Sequence, residues 1–279
     1  MKINYLINKE IKVRDYLLSF YLSKSKIYKL FLDKSISIGD NIINENYILK
    51  PNDILTIDYK EKRDYKPEEF NLDILYEDDY FLIINKPKGL IIHDESNSLC
   101  NKVSSYYLKN NIDLNIRFAH RLDMDTTGVI IYVKCPLCLA YMNHYIETHE
   151  IRRNYVAVVN GIFKNKKGTI NLPIGENRHI ANKKRVSKTG KEAITHYEVL
   201  KDDGKNSLLS ILLETGRTHQ IRCHMEYIGH PLIGDTLYGD KSNLSNRYLL
   251  HSYKVSFIHP ITGKKLDIVS KIPEDFILR

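Results

Sequence analysis

Residues 61–69 are the segment that most constrains how this chain can fold. They read Glu-Lys-Arg-Asp-Tyr-Lys-Pro-Glu-Glu, so every residue except Tyr65 is charged or proline. Such a segment can bury little apolar surface and is typical of a linker between domains. In a chain of 279 residues, it predicts two units, a small domain over residues 1–60 and a larger one over residues 70–279.

The N-terminal unit is predicted to be a small α/β domain with a basic surface. Apolar residues recur at helical spacing over residues 13–20 and 25–33, and short alternating stretches typical of strands follow. Lys24, Lys26 and Lys29 stand at the start or on the polar face of the second helix. Lysines in this arrangement predict a basic surface suited to phosphate groups.

The larger unit is predicted to have an α+β fold. Apolar runs typical of buried strands mix with helical patterns, but without the regular βαβ order of a parallel sheet. This mixture favours a mixed, largely antiparallel sheet. The expected strands cover residues 80–84, 128–133, 155–159 and 207–213, and the expected helices cover residues 97–109, 136–148 and 218–228.

The overall charge of the chain is positive. It has 42 Lys and Arg against 34 Asp and Glu, which gives a formal net charge of +8. Nucleic acid is a suitable partner for such a chain, although many basic proteins bind no polyanion. Four cysteines are too few for a disulfide scaffold, and neither a secretory signal nor an apolar run of about 20 residues is recognisable. We therefore expect a cytoplasmic protein without a membrane partner.

A first cluster of polar side chains lies at residues 120–128, directly before a predicted strand. It contains Asp123, which is flanked by His120 and Arg121. Neighbouring positive charges would lower the pKa of this carboxyl group and keep it ionised. A polar turn that only begins the strand is the alternative.

A second cluster covers residues 215–224. Arg222 lies about one helical turn after His219 and on the same face, where its guanidinium group could bind a carboxylate or a phosphate. A solvent-facing start of a basic helix is the alternative. Cysteine and histidine spacing gives no paired ligand set, so no metal site is predicted.

A third cluster is the basic stretch of residues 178–191, which contains six Lys and Arg and no acidic residue. It is suited to phosphate binding, but a solvated loop is equally compatible with this composition. Glycine-rich nucleotide-binding loops and the G-x-S-x-G motif do not occur in the sequence. Nucleotide hydrolysis and serine-hydrolase chemistry are therefore not supported.

Several ordered motifs resemble those of the RluA-type pseudouridine synthases. Together they extend over about 160 residues, which makes them more specific than any single motif. The matching residues are Glu77-Asp78-Asp79, Asn85-Lys86-Pro87-Lys88-Gly89-Leu90, His120-Arg121-Leu122-Asp123 with Thr126-Thr127-Gly128, Arg153-Asn154-Tyr155 with Ala157, Gly190-Lys191 with Ala193 and Thr195, and residues 213–235. Residues 10–60 resemble the ribosomal-protein-S-four-type RNA-binding domain found in many members of this family.

The resemblance implies that a uridine within RNA is detached from C1′ of its ribose and rejoined through C5, without a cofactor. It implies that Asp123 is the catalytic carboxylate, that Arg222 pairs with it and that Tyr155 packs on the target base. Arg121 would fill the gap left by the flipped nucleotide. The candidate RNA contacts are His120, Arg121, Arg217, His219, Lys24, Lys26, Lys29 and Lys191.

Two other classes of protein remain compatible with the sequence. One is a non-catalytic RNA-binding protein of ribosome assembly, which the presence of Asp123, Tyr155 and Arg222 disfavours. The other is a nucleoside-processing glycosidase, which would normally need a second carboxylic acid near the first. By analogy within the family, we expect a monomer that acts on ribosomal RNA in preference to transfer RNA.

Overall fold

The computed structural model of the protein describes residues 2–60, 65–94, 96–240 and 244–278. The N-terminal unit consists of two short helices and six short strands. Ser23 begins the second helix, where its hydroxyl oxygen accepts a hydrogen bond from the main-chain N–H of Lys26. In chain order the elements are β1 (Lys2–Leu6), β2 (Ile11–Lys12), α1 (Val13–Ser19), α2 (Lys24–Leu32), β3 (Ile36–Ile38), β4 (Asn41–Ile42), β5 (Ile48–Leu49) and β6 (Ile54–Asp58). Four of the strands form an antiparallel sheet in the order β1-β6-β3-β4.

The larger unit contains a nine-stranded sheet with three helices around it. The sheet has the order β11-β14-β15-β10-β16-β9-β8-β7, and β17 pairs with β16. The elements are β7 (Ile74–Glu77), β8 (Phe81–Lys86), α3 (Leu99–Lys109), β9 (Thr127–Val133), α4 (Pro136–Glu147), β10 (Arg152–Asn160), β11 (Lys167–Asn171), β12 (Ile174–Glu176), β13 (Lys184–Val186), β14 (Ile194–Asp202), β15 (Asn206–Leu213), α5 (Gln220–Tyr227), β16 (Leu250–Ile258) and β17 (Lys265–Val269). Strands β12 and β13 form a separate antiparallel hairpin.

The prediction of an α+β fold with a mixed, largely antiparallel sheet is confirmed. Among the described strand pairs only β9 and β16 are parallel, and four strands were predicted close to their observed bounds. None of the described helices is long and apolar enough to span a bilayer.

The parallel pair determines where the loop of residues 120–126 leaves the sheet. Gly128 in β9 has a φ of +105°, and a Cβ atom there would lie 2.2 Å from the main-chain oxygen of Ser252 in β16. Only glycine permits so close an approach of the two strands. The hydroxyl group of Thr127 and Nδ1 of His251 are 2.8 Å apart across the same pair. The start of β9 is therefore fixed against the centre of the sheet.

The two units share one hydrophobic cluster. It contains buried residues of β1, α1 and β6 together with residues of β8, β9 and α4. The rings of Tyr5 and Tyr80 are stacked with centroids 6.5 Å apart, and those of Tyr21 and His144 with centroids 3.6 Å apart. The N-terminal unit therefore packs directly on the larger one.

The predicted linker is bound to the larger unit over its second half. Residues 61–64 lie outside the described residues, and residues 65–69 run beside α3. Lys102 of that helix forms an ion pair with Glu68 at 2.6 Å, and Tyr65 packs against the second apolar cluster of the larger unit. A charged residue of this segment therefore binds α3 as well as contacting solvent. The composition of the segment alone did not indicate this attachment.

Asp78 closes the turn between β7 and β8 through a network of hydrogen bonds. Its carboxylate accepts bonds from the N–H groups of Tyr80 and Phe81, from the hydroxyl group of Tyr76 and from Nε2 of His259 at 3.0 Å. Nδ1 of His259 accepts two main-chain N–H groups, so the ring proton is on Nε2. Burial raises the pKa of Asp78, but these hydrogen bonds outweigh it and lower the pKa to about 2.

We expect Asp78→Asn to lower the free energy of unfolding by about 2 kcal/mol at pH 7. Because the pKa of Asp78 is lower in the folded than in the unfolded protein, its stabilising effect is present above about pH 4 and is lost as the pH falls towards 2. Urea unfolding of both proteins at pH 7 and pH 3 should therefore show the difference shrinking to about half. Asp79→Asn, at the exposed neighbouring position, is the control, and a pH-independent difference for Asp78→Asn would contradict this account.

Candidate active site

The loop of residues 120–126, strand β10 and the start of α5 enclose a cavity of about 590 Å³. Seven of the residues that the sequence analysis selected line this one cavity. They are His120, Arg121, Asp123, Tyr155, Arg217, His219 and Arg222. The tertiary structure thus brings together the first and second polar clusters, which are about 100 residues apart in the sequence.

A fully buried lysine holds the loop that contains Asp123. Nζ of Lys86, at the end of β8, donates hydrogen bonds to the carbonyl oxygens of Pro87, Met124 and Thr126 at 2.9, 2.6 and 3.0 Å. Burial lowers the pKa of this ammonium group to about 8, so it remains protonated near neutral pH. Two of these hydrogen bonds, to Met124 and Thr126, fix the part of the loop that follows Asp123, and the third ties it to Pro87 at the end of β8.

Arg222 is divided between two carboxylates. Its Nε and Nη2 donate to the two carboxylate oxygens of Asp235 at 2.7 and 3.0 Å, and its Nη1 lies 3.5 Å from Oδ2 of Asp123. The guanidinium carbon is 4.1 Å from the ring centroid of Tyr248. Burial lowers the pKa of the Arg222 guanidinium group, but the hydrogen bonds and the charge of Asp235 raise it by more. The group is therefore a permanent cation. The bidentate contact is therefore made to Asp235, and the contact to Asp123 is a single one.

The partners of Asp123 are not its sequence neighbours, His120 and Arg121. Among the described residues its ion-pair contacts go to Arg222 and to His219, whose Nε2 is 3.8 Å from Oδ2. His219 precedes α5 with a φ of +58°, in the left-handed region that non-glycine residues rarely adopt. Burial lowers the pKa of its imidazole. The expectation that His120 and Arg121 hold the carboxylate ionised is not supported by these contacts.

His120 is buried and uncharged. It is 9% exposed, and neither ring nitrogen has a hydrogen-bond partner among the described residues. Burial, reinforced by the charge of Arg153, lowers the pKa of His120 to about 3. His120 therefore lines the cavity as a neutral side chain, and its RNA contact stays a prediction.

The two arginines of the cavity rim differ in how firmly they are held. Arg121 is exposed, and no hydrogen bond or ion pair to it is found within the described parts of the chain. Nε of Arg217 donates to the carbonyl oxygen of Glu192 at 2.8 Å. Arg121 is therefore free to reach outwards, whereas Arg217 is anchored along its side chain.

The apolar wall of the cavity is formed around Tyr155 in β10. Tyr155 is 6% exposed and lines the cavity together with Leu213, Ile221 and Leu250. Burial raises the pKa of the Tyr155 hydroxyl group, so it stays neutral. An apolar wall in the same cavity as a carboxylate is suited to a planar base. The base would pack on the wall while its sugar lies beside the carboxylate.

The four predicted RNA-binding lysines lie outside the cavity. Lys24, Lys26 and Lys29 are exposed on α2, and Lys191 is exposed just after the hairpin β12–β13. Their RNA contacts stay a prediction.

Sequence reasoning assigned no role to four residues that build the site. Lys86, Asp235 and Arg153 were visible only as members of matching motifs. Arg153 is 4% exposed, and its Nη1 lies close to Gly216, 2.5 Å from where a Cβ atom at that position would be. For Tyr248 no local pattern gave a signal, because its partner Arg222 is distant in the sequence.

We expect Asp235→Asn to destabilise the protein by about 3 kcal/mol, because it leaves the buried cation of Arg222 with a neutral partner. Urea unfolding at neutral pH measures the change. Glu198→Gln is the control, since Glu198 forms a solvent-exposed ion pair with Lys167 and exposed pairs contribute little. Equal effects of the two substitutions would show that the pair of Arg222 and Asp235 is not structurally important.

Comparison with known proteins agrees with this site. Residues 80–227 match the family profile described as RNA pseudouridylate synthase. An uncharacterized RNA pseudouridine synthase, YhcT of Bacillus subtilis (strain 168), is 40% identical over 261 residues, which cover 91% of this chain and 86% of that protein. Ribosomal large subunit pseudouridine synthase D of Vibrio cholerae is 30% identical over 276 residues, with coverage of 91% and 85%.

The fold is also similar to that of a solved structure. Human RNA Pseudouridylate Synthase Domain Containing 1 superposes with a TM-score of 0.62 at 24% identity, over 72% of this chain and 83% of that one. At this identity the similarity concerns the fold alone. The family profile and the relatives at 30% identity or more establish that this chain belongs to the RNA pseudouridylate synthase family and is an RNA-modifying isomerase.

Proposed function

We propose that the protein isomerises uridines of ribosomal RNA to pseudouridine, with Asp123 as the catalytic carboxylate. The observation that carries this proposal is the position of Asp123 in the cavity, 3.5 Å from Nη1 of Arg222 and in the same lining as the apolar side chains around Tyr155. The target base would pack against Tyr155, which places its glycosidic bond beside the carboxylate.

The proposed reaction exchanges one bond of the base for another. The bond between C1′ and N1 breaks, and positive charge develops at C1′, where the carboxylate of Asp123 stabilises it. The uracil turns within the cavity, C5 bonds to C1′, C5 loses its proton and N1 gains one. The permanent cation of Arg222 stays beside the carboxylate of Asp123 throughout.

The composition of the cavity supports isomerisation rather than hydrolysis. Asp123 is the only carboxylate among the described residues that line the cavity. A glycosidase that releases free base normally uses a second carboxylic acid to protonate the leaving group or activate water. Asp125, the nearest candidate in the sequence, does not line the cavity. The detached base is therefore retained for reattachment.

Ribosomal RNA is proposed as the substrate because of the name of one relative and because of the basic surface of the N-terminal unit. The Vibrio cholerae relative is named as a ribosomal large subunit synthase. Exposed lysines on α2 give the N-terminal unit a basic face, as expected for an RNA-binding domain of the ribosomal-protein-S-four type. Arg121, exposed at the cavity rim, is placed to fill the gap of a flipped nucleotide. Such a substrate also supports a cytoplasmic location.

We expect Asp123→Asn to lower kcat at least about 1,000-fold, since it removes the negative charge but preserves the size of the side chain. The measurement is pseudouridine formation in ribosomal RNA prepared from cells that lack the gene. RNA affinity should change little. Asp125→Asn in the same loop is the control and should remain active. Substantial turnover by purified Asp123→Asn would overturn the proposed role.

The basic face of α2 has a separate test. Replacing Lys24, Lys26 and Lys29 together by Gln should weaken RNA binding and reduce the slope of log Kd against log salt concentration by about 2, because phosphate contacts are lost. The control replaces three exposed lysines, one at the end of β14 and two in the turns before β11 and β15. These are Lys164, Lys201 and Lys205. Equal effects of the two triple substitutions would show that α2 does not contact RNA specifically.

A further inference from the structure

His219 lies between Asp123 and a second side chain, the phenol of Tyr238. Its Nε2 is 3.8 Å from Oδ2 of Asp123, and its Nδ1 is 3.1 Å from the hydroxyl oxygen of Tyr238. Tyr238 is fully buried and lies in the short helical turn of residues 236–238. The imidazole ring thus connects the candidate catalytic carboxylate with a residue that does not line the cavity.

The hydrogen bonds of Tyr238 determine which ring nitrogen of His219 carries the proton. The main-chain N–H of Lys184 in β13 donates to the hydroxyl oxygen of Tyr238 at 2.8 Å. The hydroxyl group keeps its proton, because burial raises its pKa, and it donates that proton to Nδ1 of His219. Nδ1 is then an acceptor, so the proton of the neutral ring is on Nε2 and faces Asp123.

The charged groups around His219 are compatible with this neutral, oriented ring. Asp123 and Asp235 favour its protonated form, Arg222 and Lys184 oppose it, and burial has the largest effect, which lowers the pKa. A neutral ring offers Asp123 a hydrogen-bond donor without adding a second cation beside Arg222.

The main chain at His219 gives independent support. Its left-handed conformation costs of order 1 kcal/mol or more for a residue with a side chain. The side chain of His219 makes no capping hydrogen bond at the start of α5, so helix capping does not explain the conformation. Backbone strain of this kind is found where a side chain must be held in a particular direction.

We propose that His219 is a positioning residue for Asp123 and that Tyr238 fixes its tautomer. The closest contacts of Arg222 and His219 are both made to Oδ2. These two contacts orient the carboxylate so that Oδ1 is left for the ribose. The contacts at 3.5 and 3.8 Å tighten when the substrate fills the cavity. The inference rests on the proposed role of Asp123.

Tyr238→Phe is the sharpest test, because it removes one hydroxyl group and no side chain that contacts Asp123. Nitrogen-15 NMR of the full-length protein labelled at histidine should show the His219 proton on Nε2 in the unsubstituted protein. In Tyr238→Phe the Nδ1-protonated form should become detectable. A wild-type ring with its proton on Nδ1 would overturn the inference without any activity measurement.

Kinetics give a second readout that a merely structural role would not produce. With ribosomal RNA from cells lacking the gene as the probe, Tyr238→Phe should lower kcat about 10-fold and leave KM within about twofold. Tyr76→Phe, which also loses one hydrogen bond to a buried network but lies away from the cavity, should be unaffected. A Tyr238→Phe protein with unchanged kcat, or with a change in KM alone, would overturn the inference.

Substitution of His219 itself separates positioning from packing. Gln can offer both an acceptor to Tyr238 and an N–H donor to Asp123, so His219→Gln should retain about 10-fold more activity than His219→Ala. Equal losses of activity in His219→Gln and His219→Ala would contradict the positioning role of His219. Full activity of Asp123→Asn would overturn the proposed function, whereas an inactive Asp123→Asn beside a fully active Tyr238→Phe would overturn only the role of His219 and Tyr238.

Discussion

The buried contact of Arg222 with Asp235 is the interaction on which the site depends. Taking a guanidinium group out of water is unfavourable unless a carboxylate of good geometry receives it. Asp235 provides that partner at 2.7 and 3.0 Å and leaves Nη1 of Arg222 free for Asp123. The cation is therefore permanently in place for Asp123, and its cost of burial is offset by a residue that does not line the cavity.

The sheet positions the other part of the site, the loop that contains Asp123. Because β9 and β16 are parallel and touch at Gly128 and Ser252, the loop that contains Asp123 ends at a fixed point of the sheet. Lys86 then binds the carbonyl oxygens of Met124 and Thr126, which follow Asp123, together with that of Pro87. The loop that contains Asp123 is thereby supported by both the sheet and Lys86, and such support keeps the side chains of a site in a fixed geometry.

Much of the fold was predictable wherever apolar runs were continuous. Strands β8, β9, β10 and β15 and helices α3 to α5 were expected from their patterns. Strand β16 was not, although it lies in the middle of the sheet, because His251 and Ser252 interrupt its apolar run. These polar residues are buried and form hydrogen bonds to β9. Hydrogen bonds between two strands cannot be predicted from the sequence of one of them. The hairpin β12–β13 was not predicted either, because its strands have only three residues each and β13 lies within the basic stretch.

The sequence by itself determined which residues are the candidates for the chemistry. Asp123, Tyr155 and Arg222 are recognisable from motifs whose spacing needs no structure. Only the tertiary structure decided how they are used: Arg222 is shared with Asp235, His219 rather than His120 faces Asp123, and His120 is neutral. The physical reason is that charge state and hydrogen-bond partners depend on burial and on contacts between distant residues, which the order of residues along the chain does not specify.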